Sequence, residues 1–430
     1  MNPYLRGYRC LTCGEVHSPK DITYTCPRDG GNLDAVYDYE RMRRELDPHV
    51  ITSSRDRSIW HYAPLLPAVL DKQQLAAHTP LTSLGWTPLY RAPLLEGEHS
   101  MRTIWLKDDS RLPSSSFKDR ASAMVVARAL ESGVSTICVA STGNAAAALA
   151  AMCAGTPLRA VIFVPENTPD GKLAGILIHG AVVFTVRGSY NDAVDIARAA
   201  CAKFGWYNRS TGLNPHTREG KKTAAFEIAE QLAVCQAQAG PEPSSELSSG
   251  ATVFRAPTAV IVPVGDGNII SGIYKGFYDL HQLGWIKHIP RFIGVTAALA
   301  PSLFRTWQSG SEILVDVPSR TLASGISVDR PCDGVAALRA VRASAGALIE
   351  ATDDEMLAAM RLLAQKAGVF TEPASAAAYV GLWKARQQGL IESGDEVVLQ
   401  LTGSGLKDTK SALQAARPPI RVESLADIRL

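Results

Sequence analysis

From residue 103 onward the chain alternates short apolar runs with longer stretches of helical periodicity. The runs 103–107 (TIWLK), 135–140 (STICVA), 160–165 (AVIFVP), 181–186, 259–264, 291–296 and 396–401 read as strands buried on both faces. Between them, residues 117–131, 144–154, 171–179, 191–204, 221–239, 269–283, 353–367 and 375–388 read as helices, several of them rich in alanine. Such alternation predicts an α/β fold of parallel sheets covered on both sides. Ligands in these folds bind where strands end and helices begin, so chemistry is expected in the loops that follow strands. Two stretches break the pattern. Residues 41–100 are polar and dotted with proline until Gly85-Trp86-Thr87-Pro88-Leu89, and residues 240–257, rich in Pro, Ser and Gly, predict a mobile surface insertion. No internal repeat is evident.

Composition narrows the class. A chain of 430 residues with 46% hydrophobic and 20% charged residues predicts two or three domains with well-buried cores. Its 44 Lys and Arg against 42 Asp and Glu give a net charge of +2, without the basic excess of an electrostatic nucleic-acid binder. No apolar run approaches the roughly 20 residues that cross a bilayer. The first nine residues lack the apolar core of a signal peptide. These features predict a cytoplasmic enzyme with neither nucleic-acid nor membrane partners. Eight cysteines are too sparse for a disulfide framework and predict reduced thiols.

Three of those cysteines crowd the amino terminus. Cys10-x-x-Cys13 and Cys26-x-x-Asp29, with twelve residues between Cys13 and Cys26, have the spacing of a zinc ribbon whose ligands sit on two tight turns. The fourth ligand is then Asp29, a harder oxygen donor, with His17 as a substitute. The alternative is a knuckle that keeps the turn glycines Gly14, Gly30 and Gly31 but not the ion.

Four strand-following loops are unusual. In Ser116-Phe117-Lys118-Asp119-Arg120, Lys118 is either a solvated lysine or an amine of depressed pKa suited to imine formation, since cations are disfavoured in a first helical turn. Ser141-Thr142-Gly143-Asn144 either caps a helix or gathers donors round an oxyanion. Gly265-Asp266-Gly267-Asn268, running into Ile269, exposes consecutive N–H groups at a helix start, as a phosphate site does. It is neither a P-loop nor a dinucleotide fingerprint, and Asp266 beside a dianion also fits an Asx-turn. Thr402-Gly403-Ser404-Gly405-Leu406-Lys407-Asp408 is either a glycine-rich turn or a strand end that turns a hydroxyl to a ligand.

Taken together, these loops resemble the fold-type II pyridoxal-phosphate enzymes, the tryptophan-synthase-β-like group, and within it the threonine synthases. The resemblance also covers Gly85-x-Thr87-Pro88-Leu89, Asn214-Pro215 through Glu219-Gly220 and Lys222-Thr223, and Glu372-Pro373-Ala374-Ser375-Ala376. It implies two open twisted-sheet domains behind a small zinc-ribbon-like knuckle. The expected boundaries are 1–40 for the knuckle, 41–121 with 209–430 for a large cofactor domain, and 122–208 for a small mobile domain. It implies a homodimer acting on an amino acid. Lys118 would carry pyridoxal 5'-phosphate as a Schiff base, Asn144 would bond its phenolic oxygen, and Gly265, Asp266, Gly267, Asn268 and Ile269 would cradle its phosphate. Thr402 would face the pyridine nitrogen as a neutral hydroxyl, which tempers the electron sink and suits elimination and replacement better than transamination. Ser141 and Thr142 would hold the substrate carboxylate.

The substrate side departs from the family. Threonine synthases eliminate phosphate from O-phosphohomoserine and add water, and their Asn-Pro-x-Arg pattern places an arginine for that phosphate. Here Asn214-Pro215-His216 is followed by Thr217, with Arg218 one position late. Thr211-Gly212 stands for the usual Asn-Ser, Ala145 for a hydroxyl residue, Ser404 for His or Asn, and residues 111–115 for an Asn-Pro-Thr-Gly run. A guanidinium is not replaced by threonine at a phosphate site. Three readings follow: a threonine-synthase-like lyase, a β-replacement enzyme or ammonia-lyase on serine-, threonine-, cysteine- or diaminopropionate-like substrates, and a catalytically degenerate ligand-binding paralogue.

Overall fold

A computed structural model describes residues 1–20, 24–71, 75, 79–238, 252–424 and 428. Strands β1 (Leu5–Cys10), β2 (Val16–His17) and β3 (Leu33–Tyr37) make a small antiparallel sheet in the order β2-β1-β3. β4 (Leu89–Arg91) and β5 (Thr103–Asp108) open a larger sheet. The chain then leaves it to build a second sheet from β6 (Thr136–Ala140), β7 (Arg159–Pro165), β8 (Val182–Val186) and β9 (Tyr207–Asn208). It returns with β10 (Ala259–Pro263), β11 (Arg291–Ala297), β12 (Ala347–Ala351) and β13 (Glu396–Leu401). The larger sheet runs β12-β11-β10-β13-β5-β4, parallel except for β4 at one edge, and the smaller runs β8-β7-β6-β9, parallel throughout.

Most of the apolar runs become strands covered on both faces, but the run at 181–186 forms β8, an edge strand that leaves Val182 and Phe184 exposed. Val260, Ile261, Val262, Val397, Val398 and Leu399 are all inaccessible to solvent. Helix Pro373–Gln387 lies over the larger sheet on one side and helix Asn268–Gln282 on the other. Helices Tyr190–Phe204 and Asp353–Ala367 begin in capping boxes, Ser189 with Asp192 and Thr352 with Glu355.

Three expectations change. The helix placed at 221–239 starts earlier: the chain is helical over His216–Lys221 and again over Thr223–Gln238, with Pro215 at its head. Residues 41–100 are less open than their polarity suggests. Short helices there, including Tyr39–Glu45 and Ile59–Leu65, bury Ile59, Trp60, Tyr62 and Leu65, anchored by a Tyr62 hydroxyl that donates to Glu230 at 2.7 Å. Most of the insertion placed at 240–257 lies outside the described residues. Its end is core, with Val253 buried and Phe254 stacked on Trp285, ring centroids 5.5 Å apart.

Candidate active site

Four helix starts meet at one cleft, at the carboxyl ends of β5, β6, β10 and β13. Helix Lys118–Glu131 begins at Phe117, helix Asn144–Cys153 at Gly143, helix Asn268–Gln282 at Gly267 and helix Pro373–Gln387 at Glu372. None of the four has a side-chain cap, unlike the boxed helices elsewhere. Helices Asn144–Cys153 and Asn268–Gln282 carry no acid in their first turns, so their first N–H groups and positive dipole ends are open to an anion, whereas Asp119 and Glu372 stand at the other two starts. The cleft encloses about 490 Å³, counting space open to solvent, and is lined by Lys118, Asn144, Gly265, Asp266, Gly267, Asn268, Ile269, Glu372 and Thr402, with Thr211 and Lys221.

The loops that bound the cleft are stitched to one another. Phe117 N–H donates to the Thr402 carbonyl at 2.9 Å and Ser404 N–H to the Ser115 carbonyl at 3.1 Å. Glu372 N–H reaches the Gly403 carbonyl at 3.0 Å, and Lys407 Nζ reaches the Ser114 carbonyl at 2.6 Å. Ser115 holds a left-handed φ of 61° in the turn before Lys118. Behind that lysine, Arg120 is wholly buried and forked onto Asp109 and Glu227, which Lys107 also meets at 2.7 Å.

Lys118 Nζ makes no hydrogen bond or ion pair among the described residues. Desolvation holds its pKa below the usual lysine range; Arg209 pushes the same way, while Asp266 and Glu372 oppose. Glu372 accepts from Asn144 Nδ2 at 2.9 Å, and burial raises its own pKa. In the glycine-rich loop, Gly267 has φ 86°, and a Cβ there would stand 2.8 Å from the Asp333 carbonyl oxygen. Asp266 turns its carboxylate to the Cys332 N–H at 3.4 Å, and its own carbonyl accepts from Asp333 N–H at 2.8 Å.

The remaining expected residues stand elsewhere. Ser141 Oγ accepts from Gly143 N–H at 3.2 Å, and neither Ser141 nor Thr142 is among the residues that line the cleft. Thr217 is buried with its hydroxyl on the Asn214 carbonyl at 2.7 Å. Arg218 points toward the amino-terminal sheet, where it binds Asp34 Oδ1 at 2.9 Å, the Leu33 carbonyl, and both oxygens of Asp333. Neither lines the cleft. Conversely, Glu372, Thr211 and Lys221 line it without having been assigned a role from the sequence; the signal for Glu372 was the Glu372-Pro373-Ala374-Ser375-Ala376 run within the family resemblance.

The amino-terminal ligand set is brought together. One donor atom from each of Cys10, Cys13, Cys26 and Asp29 lies within 4.8 Å of all the others. His17 Nε2 approaches Cys26 Sγ at 3.3 Å, beside the set. Three sulfurs and one carboxylate at that separation fit a single tetrahedral cation.

Parallel strands that end on a lysine-bearing, anion-ready cleft define a fold-type II pyridoxal-phosphate enzyme. The family described as pyridoxal-phosphate dependent enzyme matches residues 81–403, and the chain belongs to it. Within that class it is similar to threonine synthases. It is 34% identical to that of Methanocaldococcus jannaschii over 417 residues, 96% of each chain, and 36% identical to that of Mycobacterium leprae over 353 residues, 81% of this chain and 90% of the relative. Among solved structures, threonine deaminase isoform 2 of Solanum lycopersicum shares the fold at a TM-score of 0.61 and 21% identity, covering 77% of this chain and 87% of that one. Diaminopropionate ammonia lyase of Escherichia coli does so at 0.60 and 20%, covering 80% and 88%. The cofactor fits the cleft: a glycine-rich loop running into an uncapped helix start suits its phosphate, and an unpaired lysine suits its carbonyl.

Proposed function

We propose that the protein is a pyridoxal-phosphate-dependent lyase that removes a leaving group from an amino acid and replaces it, as threonine synthases do. In its narrow form, O-phosphohomoserine and water become threonine and inorganic phosphate. The observation that carries this reading is Lys118, desolvated and without a hydrogen-bond partner among the described residues, at the meeting of four uncapped helix starts. Such a lysine is neutral more often than a solvated one, so its Nζ can attack a carbonyl and later move a proton at the substrate α-carbon. The cofactor, when bound, supplies the sink for negative charge at that carbon.

The backbone from Gly265 to Ile269 would hold the phosphate, Asn144 the phenolic oxygen and Thr402 the ring nitrogen, with Ser141 and Thr142 on the substrate carboxylate. We read Cys10, Cys13, Cys26 and Asp29 as a structural zinc site, and residues 122–208 as a small domain that closes over the substrate. A cytoplasmic homodimer completes the reading.

One observation favours a second reaction. The position expected to carry a phosphate-binding arginine is Thr217, and Arg218 is held by Asp34 and Asp333. That supports a leaving group other than phosphate, in a β-replacement or ammonia-lyase reaction on serine-, threonine-, cysteine- or diaminopropionate-like substrates. Purified holoenzyme incubated with O-phosphohomoserine is expected to release phosphate and threonine in equal amounts. No turnover at high enzyme concentration, with ammonia and a keto acid formed from the other substrates instead, rejects the narrow form in favour of the second.

A further inference from the structure

Among the described residues, four lysines are almost wholly inaccessible to solvent, and three of them pair with acids. Lys107 meets Glu227, Lys222 meets Glu219 and Asp279, and Lys275 meets Asp279. Lys221 is equally inaccessible, yet its ammonium donates at 2.6 Å to a neutral atom, Asn268 Oδ1, and forms no ion pair among the described residues. Beside it Arg209, also fully buried, donates to Ser122 and Thr211 hydroxyls and the Lys118 carbonyl, again without an ion pair among the described residues.

Of the nearby acids, Asp266 acts on Lys221 by charge without bonding it and turns its carboxylate to the Cys332 N–H, and two others are held by side chains. Asp333 is held by Arg218 through Nε and Nη2, by Asn268 and by Ser271, and Glu372 accepts from Asn144. The cleft is thus lined by two amines, Lys118 and Lys221, beside uncapped helix starts, and the Arg209 guanidinium bonds Thr211 in its wall. Burying an unpaired ammonium is costly, and the cost is relieved when a ligand brings the missing negative charge.

Backbone packing fixes the place of this lysine. A Cβ on Gly272 would stand 2.8 Å from Lys221 Cβ, so the helix that begins at the glycine-rich loop lies directly against it. Asn268, the first residue of that helix, then holds Lys221 Nζ at the point where a phosphate would meet free N–H groups.

We infer that Lys221 is an oxyanion-binding residue of the cleft, held by Asn268 to meet a phosphate-like dianion, with Arg209 and Thr211 beside it. The inference rests on the pyridoxal-phosphate reading and deepens it. The dianion has two sources, the cofactor's own phosphate or a free or substrate-borne oxyanion. Burial, Lys118 and Arg209 hold the pKa of Lys221 well below the usual lysine range, and a dianion beside it reverses that shift.

Wild-type and Lys221→Met apoenzymes are titrated with pyridoxal phosphate and with pyridoxal, reading the absorbance of the lysine-linked cofactor. The two holoenzymes are titrated with inorganic phosphate, reading its phosphorus resonance. If the cofactor is the source, the variant binds pyridoxal phosphate about ten- to a hundredfold more weakly and pyridoxal unchanged. If the source is a separate oxyanion, cofactor affinity holds while phosphate binding falls by about that factor. Lys221→Arg restores whichever was lost. Should the methionine variant not fold, Lys221→Gln makes the same comparison. Changes of less than about twofold in both titrations, within the spread expected of context, overturn the inference. Failure of the lyase reading shows separately, as absent turnover with the binding shifts intact.

Discussion

Lys118 takes its chemistry from its place in the helix as well as from its burial. As the first residue of helix Lys118–Glu131 it adds a cation where the macrodipole is already positive, in a site that desolvates it. Glu372 and Asp266 keep it from losing all its basicity, while Arg209 works against them. Glu372 is poised in turn: burial raises its pKa, and Lys407, Lys118 and the Asn144 hydrogen bond lower it. Glu372→Gln keeps an acceptor for Asn144 and removes the charge. With that charge gone the pKa of Lys118 falls, so its amine becomes neutral at lower pH. The pH profile for attachment of cofactor to the apoenzyme is expected to move to lower pH, read from the rate at which the lysine-linked absorbance appears. A profile that stays in place would mean that Glu372 exerts no charge on Lys118.

Three helices cross closely enough to put two lysines in one cleft. Helix Lys118–Glu131 meets the turn at Gly220, where a Cβ would lie 2.1 Å from the Arg120 carbonyl oxygen and 2.9 Å from Met124 Cβ. Helix Asn268–Gln282 meets the same segment through Gly272. Gly220→Ala must push the helices apart, at a cost of about 1–3 kcal/mol. A lower Tm and weaker cofactor binding are expected, because Lys118 and the glycine-rich loop move relative to each other. An alanine variant with wild-type Tm and cofactor affinity would show that the crossing yields without disturbing the site.

The helical crossing also explains what could be read in advance. Strands such as β10 and β13 are continuous apolar runs, so their ends, and the loops carrying Gly265 to Asn268 and Thr402, were legible within a residue or two. Lys118 and Asn144 were singled out by the motifs of the family resemblance, and both line the cleft. Lys221 was not, because charge pairing is three-dimensional: in sequence it resembles Lys222 beside it, which is neutralised by Glu219 and Asp279. Thr217 and Arg218 were placed at the substrate by motif alone, whereas the turn of the helix aims Arg218 at Asp333. Residues 41–100 hid their core because short helices with few apolar positions show no period.

At the scale of the whole molecule, the amino-terminal sheet is built onto the back of the cofactor cleft. Tyr8 OH meets His216 Nε2 at 3.0 Å, and Tyr37 OH donates to Glu219 at 2.6 Å. Asn32 Nδ2 donates to the Cys332 carbonyl at 2.6 Å and to Asp333 at 3.2 Å, and Arg218 returns to Asp34 and Leu33. His216, Arg218 and Glu219 belong to the helix that carries Lys221, and Asp333 backs Gly267. Anything that orders the Cys10, Cys13, Cys26 and Asp29 turns therefore also orders the backing of the glycine-rich loop. Since a bound zinc stabilises the folded form it binds, its removal lowers stability in proportion to its affinity. Purified protein is expected to hold one zinc per chain by elemental analysis. A strong chelator, or Cys13→Ser, is expected to lower Tm by several degrees and to weaken pyridoxal-phosphate binding in step. Protein without stoichiometric metal, and with a Tm indifferent to chelator, would show that the knuckle holds its turns by hydrogen bonds alone. Loss of zinc with unchanged cofactor affinity would instead separate the metal from the cleft, and leave Asn32, Asp34 and Arg218 as passive packing between two independent units.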